Sequence, residues 1–144
     1  MPIPPLRNDG FLPSGLQLTD LNELEDRFGG STTRRKDLFI RLRLFVELAR
    51  HCGALRLFVN GSFVTAKTEP NDVDVVVWIG AKYLDLLAND DGEAILLEQM
   101  ADSGEPQEVF LVDSEQKWNG WLEFFSQVCE HTNKQKGLVE VKLV

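Results

Sequence analysis

Apolar residues recur at helical spacing in several parts of the chain. The clearest run extends from Arg34 to about His51, and the residues on its apolar face are Leu38, Leu42, Phe45 and Ala49. Residues three and four apart lie on the same side of a helix, so this run predicts a long amphipathic helix. Gly53 is expected to end it, because glycine is the common residue just past a helix C-terminus.

Weaker helical spacing appears in three other segments. It predicts a short helix with Thr19 as its N-cap and Gly29-Gly30 at its end, one or two helices within residues 81–101, and a helix capped by Ser114. Ser31 to Thr33 supply cap residues for the long helix.

Short apolar segments between the helices predict four strands. They run from Leu55 to Asn60, from Val73 to Ile79, from Glu108 to Asp113 and from Leu138 to Leu143. The second is nearly all β-branched or aromatic, which is typical of a strand buried on both faces. Together the elements predict one α/β (α+β) domain over residues 19–144, with a small mixed sheet flanked by helices. Residues 1–18, which are rich in proline, predict an extended N-terminal arm.

Charge is distributed unevenly along the chain. The 144 residues carry a formal net charge of −8, which argues against a protein that coats nucleic acid through surplus Lys and Arg. The segment from Arg34 to Arg56 is nevertheless basic. A solvated helix face is the first interpretation of this segment, and a docking surface for RNA or an acidic protein is the second.

Neither cysteine usage nor hydropathy indicates an exported or membrane protein. Cys52 and Cys129 have no metal-ligand spacing, and each follows an amphipathic run, so both are expected to be small buried residues. The N-terminus lacks the apolar core of a signal peptide, and no apolar run approaches membrane-spanning length. A cytoplasmic protein with no membrane partner is the expectation.

Candidate chemistry is concentrated between the first two predicted strands. Asp72 and Asp74 lie two positions apart, so on a strand both carboxylates leave the same face. Two adjacent carboxylates repel unless a cation lies between them, and hard divalent cations such as Mg²⁺ prefer oxygen ligands. Gly61-Ser62, directly after an apolar strand, offers backbone N–H groups and a hydroxyl to an anion. These features indicate metal-assisted chemistry on a nucleotide.

The arrangement resembles the signature of the DNA polymerase beta-like nucleotidyltransferase superfamily. The resemblance rests on the apolar strand, Gly61-Ser62, the spacer and Asp72-Val-Asp74, and it is closest to minimal, single-domain members. Further segments resemble a small, functionally uncharacterised prokaryotic family on that fold. These are Arg27-Phe28, Arg34-Arg35, Gly61–Thr65 with Lys67 and Pro70, Leu122–Phe125 and Lys136–Val139.

The resemblance implies Mg²⁺-dependent nucleotidyl transfer, with Mn²⁺ as a possible substitute. Asp72 and Asp74 would be metal ligands, and Gly61 and Ser62 would contact the phosphates of a nucleoside triphosphate. Lys67 could reach the triphosphate or the pyrophosphate leaving group, and a solvated loop lysine is its alternative interpretation.

A third carboxylate is expected from a neighbouring strand, as metal ligand and general base. Glu108 and Asp113 are the candidates, and they face opposite sides of a strand because they differ by five positions. Glu108 is preferred because Glu-Val-Phe fits the superfamily's acidic-apolar-apolar strand entry, although Asp is more usual there.

Two functions are therefore expected. The first is transfer of a nucleoside monophosphate, AMP from ATP being the expected case, to a hydroxyl of a protein or an RNA, with no DNA partner. Minimal superfamily members often belong to toxin–antitoxin or phage-defence pairs, so the resemblance implies that context. The alternative is a catalytically silent binding module on the same fold, such as an antitoxin or regulatory subunit.

Overall fold

The computed structural model describes residues 3–102, 107–128 and 134–143. The strands in this part of the chain are β1 (Leu16–Thr19), β2 (Arg56–Asn60), β3 (Asp74–Trp78), β4 (Val109–Val112) and β5 (Leu138–Val141). The helices are α1 (Leu21–Leu24), which continues as a π-helical turn (Glu25–Gly29), α2 (Thr33–His51), α3 (Ala81–Ala88), α4 (Gly92–Asp102) and α5 (Glu115–Phe125). A 3-10 turn spans Ser62–Val64.

The strands form one mixed sheet in the order β1-β5-β2-β3-β4. β2 is antiparallel to both of its neighbours, β5 and β3. The two outer strands are parallel to the strands they pair with, β1 to β5 and β4 to β3. The structure confirms the predicted mixed α/β architecture, with a small mixed sheet, flanking helices and the long helix α2.

The N-terminal segment contributes to this sheet. The sequence predicts an extended arm over residues 1–18 and does not predict β1, which pairs in parallel from Leu16 opposite Leu138 to Thr19 opposite Val141. Ile3 and Leu12, in the same segment, are buried in the core. β1 has only four residues and follows a stretch rich in proline and glycine. Its alternation of apolar and polar residues is too short to predict an edge strand.

The two faces of the sheet are covered by different helices. On one face, alternate strand residues such as Val59 and Val75 pack with the apolar sides of α2 and α4. On the other face, Phe58 and Val76 pack against Trp118 of α5. The Trp118 ring is fully buried and meets the Phe58 ring edge-on, with centroids 5.0 Å apart. Cys52 is buried as expected, and Cys129 lies outside the described residues.

Helix ends follow the predicted chemistry with one exception. The Thr32 and Ser114 hydroxyls accept hydrogen bonds from backbone N–H groups in the first turns of α2 and α5. Gly53 ends α2 in the left-handed region, with φ of +68°. For α1 the expected cap, Thr19, is wrong: the carboxylate of Asp20 accepts from the Glu23 N–H at 2.9 Å. None of the described helices is long and apolar enough to cross a membrane.

Candidate functional site

Gly61 ends β2 and brings the two halves of the predicted motif into contact. Its φ is +104°, and a Cβ at this position would lie 2.8 Å from the backbone oxygen of Asp72. That same oxygen accepts a hydrogen bond from the Phe63 N–H at 3.1 Å. Glycine is therefore required at residue 61 both by backbone conformation and by space.

Ser62 holds the carboxylate of Asp72. Asp72 Oδ1 accepts two hydrogen bonds, one from the Ser62 N–H and one from the Ser62 hydroxyl, each at 2.8 Å. The Ser62 hydroxyl oxygen in turn accepts from the Asn71 N–H at 2.8 Å. The sequence assigns Ser62 to a phosphate, whereas here its donors orient the first aspartate.

Three polar residues form a row across neighbouring strands. Asn60 lies directly opposite Asp74 in the antiparallel pair. Val75 lies opposite Val109, and the Val75 N–H donates to the Glu108 carbonyl at 2.8 Å, so Glu108 is beside Asp74 at the start of β4. Because residues opposite one another share a face, the row occupies one side of the sheet.

The structure separates the two candidates for the third carboxylate. Glu108 lies on the Asp74 side of the sheet, where its charge acts on Asp74. Asp113 lies at the opposite end of β4, is exposed and pairs with Lys117 at 2.9 Å. Glu108 itself is paired with Nη1 of Arg41 at 2.8 Å, a contact that the sequence did not indicate.

The electrostatics of the site favour a proton on Asp74. Burial, the charges of Asp72 and Glu108, and a hydrogen bond with Asp72 raise the pKa of Asp74 to about 7, and Lys136 opposes this shift. A carboxyl group with a pKa near 7 is easily deprotonated at neutral pH when a cation binds. The cation then replaces the proton and offsets the repulsion between the two carboxylates.

A cavity of about 520 Å³ opens beside Asn60 and Asp72, whereas Asp74 and Glu108 do not belong to its lining. Four of the predicted residues, Gly61, Ser62, Lys67 and Asp72, contribute to its lining. Residues that the sequence did not assign complete the wall, and they include Asp9, Gly10, Phe11, Asn60 and Lys136. The volume is within the range of small-molecule sites in proteins.

The residues present suit a hard divalent cation. In the described ranges, no three His, Cys, Asp or Glu side chains are grouped closely enough to hold a metal as they stand. Asp72 and Asp74 nevertheless adjoin one another, and the buried amide oxygen of Asn60 has no hydrogen-bond partner among the described residues. An unpaired buried oxygen is unusual and calls for a ligand or water. Carboxylate and amide oxygens together are the donor set of Mg²⁺ or Mn²⁺.

Two arginines of the basic segment hold the loop between the motif halves. Arg35 is buried, and its guanidinium donates to the carbonyls of Phe63 at 2.6 Å and Thr65 at 2.7 Å. Arg34 donates to the Pro70 carbonyl at 2.9 Å. For Arg35, which is buried, both the solvated face and the docking surface are wrong. Cations in the first turn of a helix interact unfavourably with its dipole. Arginines at this place in the sequence therefore indicate that contacts elsewhere in the fold hold them.

Comparison with known proteins defines the family of this chain. A family model matches residues 4–142, and the chain belongs to that family, which is described as a family of unknown function (DUF6932). No curated protein and no solved structure matches the chain significantly. The family description assigns no activity, so the function must be inferred from the residues.

Proposed function

We propose that this DUF6932 protein is a metal-dependent nucleotidyltransferase. It would transfer a nucleoside monophosphate, AMP from ATP in the expected case, to a hydroxyl of a partner protein or an RNA. The observation that carries the proposal is the Asp72 carboxylate, which lines a cavity of nucleotide size, is oriented by two hydrogen bonds from Ser62 and adjoins Asp74. The resemblance of the same residues to the motif of minimal nucleotidyltransferases also supports it.

The metal site would lie where β2 ends and β3 begins. Asp72 and Asp74 would hold Mg²⁺, with the Asn60 amide oxygen, which has no hydrogen-bond partner in the described part of the chain, as a further donor. When bound, the metal would neutralise charge on the triphosphate and lower the pKa of the attacking hydroxyl. This role also accounts for the crowding of carboxylates, which without a cation costs the fold free energy.

The chain's own residues would arrange the reactants. Gly61 allows the close approach of the Asp72 backbone that brings its carboxylate to the cavity, and Lys67 lines the same cavity as a cation for the phosphates. The acceptor oxygen would bond to the α-phosphorus while the bond to pyrophosphate breaks. Glu108, beside Asp74, is the group proposed to receive the hydroxyl proton.

Labelled transfer provides the test. The purified protein is incubated with Mg²⁺ or Mn²⁺, each [α-³²P] nucleoside triphosphate, and either total RNA or protein fractions from its source cell. Label is expected on one acceptor class and should vanish in the variant that combines Asp72→Ala with Asp74→Ala. Asp113→Ala is the matched control, because it removes an exposed carboxylate at the far end of β4. Transfer that survives the double substitution would overturn the proposal.

A catalytically silent binding module is the second candidate. It is favoured by the Arg41–Glu108 ion pair and by the use of both Ser62 donors within the protein. Titration of the protein with ATP and Mn²⁺ distinguishes the two candidates. Metal-dependent nucleotide binding favours the enzyme, and its absence in a correctly folded sample favours the module.

A further inference from the structure

Lys136 occupies a fixed position at the edge of the candidate site. Its backbone N–H donates to the Ser126 carbonyl at 2.8 Å, and the next residue, Gly137, donates to the Leu12 carbonyl at 2.9 Å. A Cβ at Gly137 would lie 2.0 Å from the Pro13 oxygen, so the segment fits closely against the N-terminal chain. The lysine side chain therefore starts from a well-defined point just before β5.

The Lys136 side chain lines the cavity that is formed in part by the predicted motif. It lines this cavity together with Gly61, Ser62 and Asp72. Its Nζ lies 5.5 Å from the centroid of the Phe11 ring, which belongs to the same wall. A contact with a ring face leaves the three N–H donors of the ammonium free to form conventional hydrogen bonds.

The surroundings of Lys136 differ from those of a surface lysine. The residue is half-buried, and burial lowers its pKa, whereas the charges of Asp72 and Asp74 raise it. A partly dehydrated ammonium costs free energy, and that cost is offset when an anion approaches. The cavity thus contains a cation placed to meet incoming negative charge.

We infer that Lys136 binds the polyphosphate group of the nucleotide, an inference that rests on the proposed function. A nucleoside triphosphate that enters this cavity brings several negative charges close to two aspartates. A metal ion neutralises part of that charge. Lys136 and Lys67, both on the cavity wall, supply further positive charge. Lys136 acts as a positioning residue for the phosphates, while an uncharged nucleoside gains nothing from it.

Binding of three probes tests the inference. ATP, inorganic tripolyphosphate and adenosine are titrated, each with saturating Mn²⁺, into the full-length protein and its Lys136→Met variant. The variant is expected to bind ATP and tripolyphosphate about 10- to 100-fold more weakly, the usual range for one charge-assisted contact, and adenosine as before. Lys136→Arg should retain most of the affinity. Lys142→Met is the matched control, because it removes the same charge beyond the other end of β5.

The outcomes separate this inference from the proposed function. Tripolyphosphate affinity that is unchanged in Lys136→Met, in a protein that binds ATP and transfers label, overturns the role of Lys136 and leaves the enzyme intact. Lys136-dependent tripolyphosphate binding without label transfer supports the role and counts against the enzyme.

A purely structural role would give a different result. If Lys136 only neutralised Asp72 and Asp74, Lys136→Met would strengthen Mn²⁺ binding and leave tripolyphosphate affinity unchanged at saturating metal. Circular dichroism of each variant confirms that the comparison is made on folded protein.

Discussion

Asp72 and Ser62 are joined by two hydrogen bonds, from the serine N–H and from its hydroxyl, both to Oδ1 of the aspartate at 2.8 Å. The two residues lie ten positions apart, and the loop between them leaves and returns to the same point. This closure gives a physical reason for the spacing of the motif. The serine fixes the orientation of the carboxylate that the proposed function places at the metal.

Ser62→Ala is expected to loosen this closure. The substitution removes one donor to Asp72 and the acceptor for the Asn71 N–H. We expect a loss of about 1–2 kcal/mol in the free energy of unfolding, measured by urea denaturation, together with weaker Mn²⁺ binding. Ser126→Ala is the control: its hydroxyl donates to the Leu122 carbonyl at the end of α5, so it should affect stability alone. Unchanged Mn²⁺ affinity in Ser62→Ala would contradict the orienting role.

Gly61→Ala is expected to be strongly destabilising. The left-handed backbone disfavours a side chain, and the new Cβ would lie 2.8 Å from the Asp72 carbonyl oxygen, a backbone atom that cannot easily move. A loss of about 2–4 kcal/mol in unfolding free energy is anticipated. Gly120→Ala in α5 provides the contrast, because beyond its own helix a Cβ there would meet no heavy atom of the described residues within 4 Å. That variant should gain about 0.5–1 kcal/mol through helix propensity. Similar effects of the two substitutions would refute the argument.

The sequence predicts those features of the fold and the site that local patterns encode. The strand β3 is recognisable from its run of β-branched residues, and the helix α2 from its 3.6-residue period. The sequence also predicts that Gly61, Ser62, Asp72 and Asp74 lie close together, because their spacing follows from a strand, a turn and a second strand, and the contacts of Asp72 with Ser62 and Asp74 agree with this.

The remaining site residues depend on contacts between distant segments. Lys136 reaches the cavity only because β5 pairs with β2, and no local pattern predicts that pairing. Asn60 is an ordinary strand residue until its opposite neighbour proves to be Asp74. Arg41 becomes relevant through Glu108, which lies far along the chain.

Asp74→Asn is expected to stabilise the metal-free protein, and increasingly so as the pH rises. Burial and the charges of Asp72 and Glu108 raise the pKa of Asp74 to about 7, and the charge of Lys136 opposes this shift. Between its unfolded pKa and about 7, the folded protein binds more protons at this residue, so the wild type loses stability as the pH rises through that range. The amide variant avoids this loss. Its advantage should grow from near zero at pH 4 to about 2–4 kcal/mol above pH 7, measured by chemical denaturation.

At pH 8, Mg²⁺ should make the wild type more stable than Asp74→Asn, which reverses the order of stability expected without metal. The wild type gains stability on binding the ion, whereas Asp74→Asn offers a neutral amide oxygen in place of a carboxylate and gains less. Asp113→Asn is the control, because Lys117 lowers the pKa of that exposed carboxyl and its removal should not stabilise the protein at any pH. A flat difference between wild type and Asp74→Asn from pH 4 to 8 would show that Asp74 titrates normally.

Arg35→Met is expected to lower the free energy of unfolding more than an ordinary surface substitution does. It should also weaken nucleotide binding, although Arg35 itself does not line the cavity. Arg35 donates to the carbonyls of Phe63 and Thr65, so its loss leaves buried acceptors unpaired and frees the loop that carries Ser62 to Asp72. We expect a loss of about 3 kcal/mol or more in unfolding free energy, and weaker nucleotide binding at temperatures where the variant is still folded. Arg43→Met is the matched control, because Arg43 is exposed on the same helix and contacts the ring of Phe39. Equal stability of the two variants would mean that the loop does not depend on the arginine, and its order would then have to come from the Ser62–Asp72 closure alone.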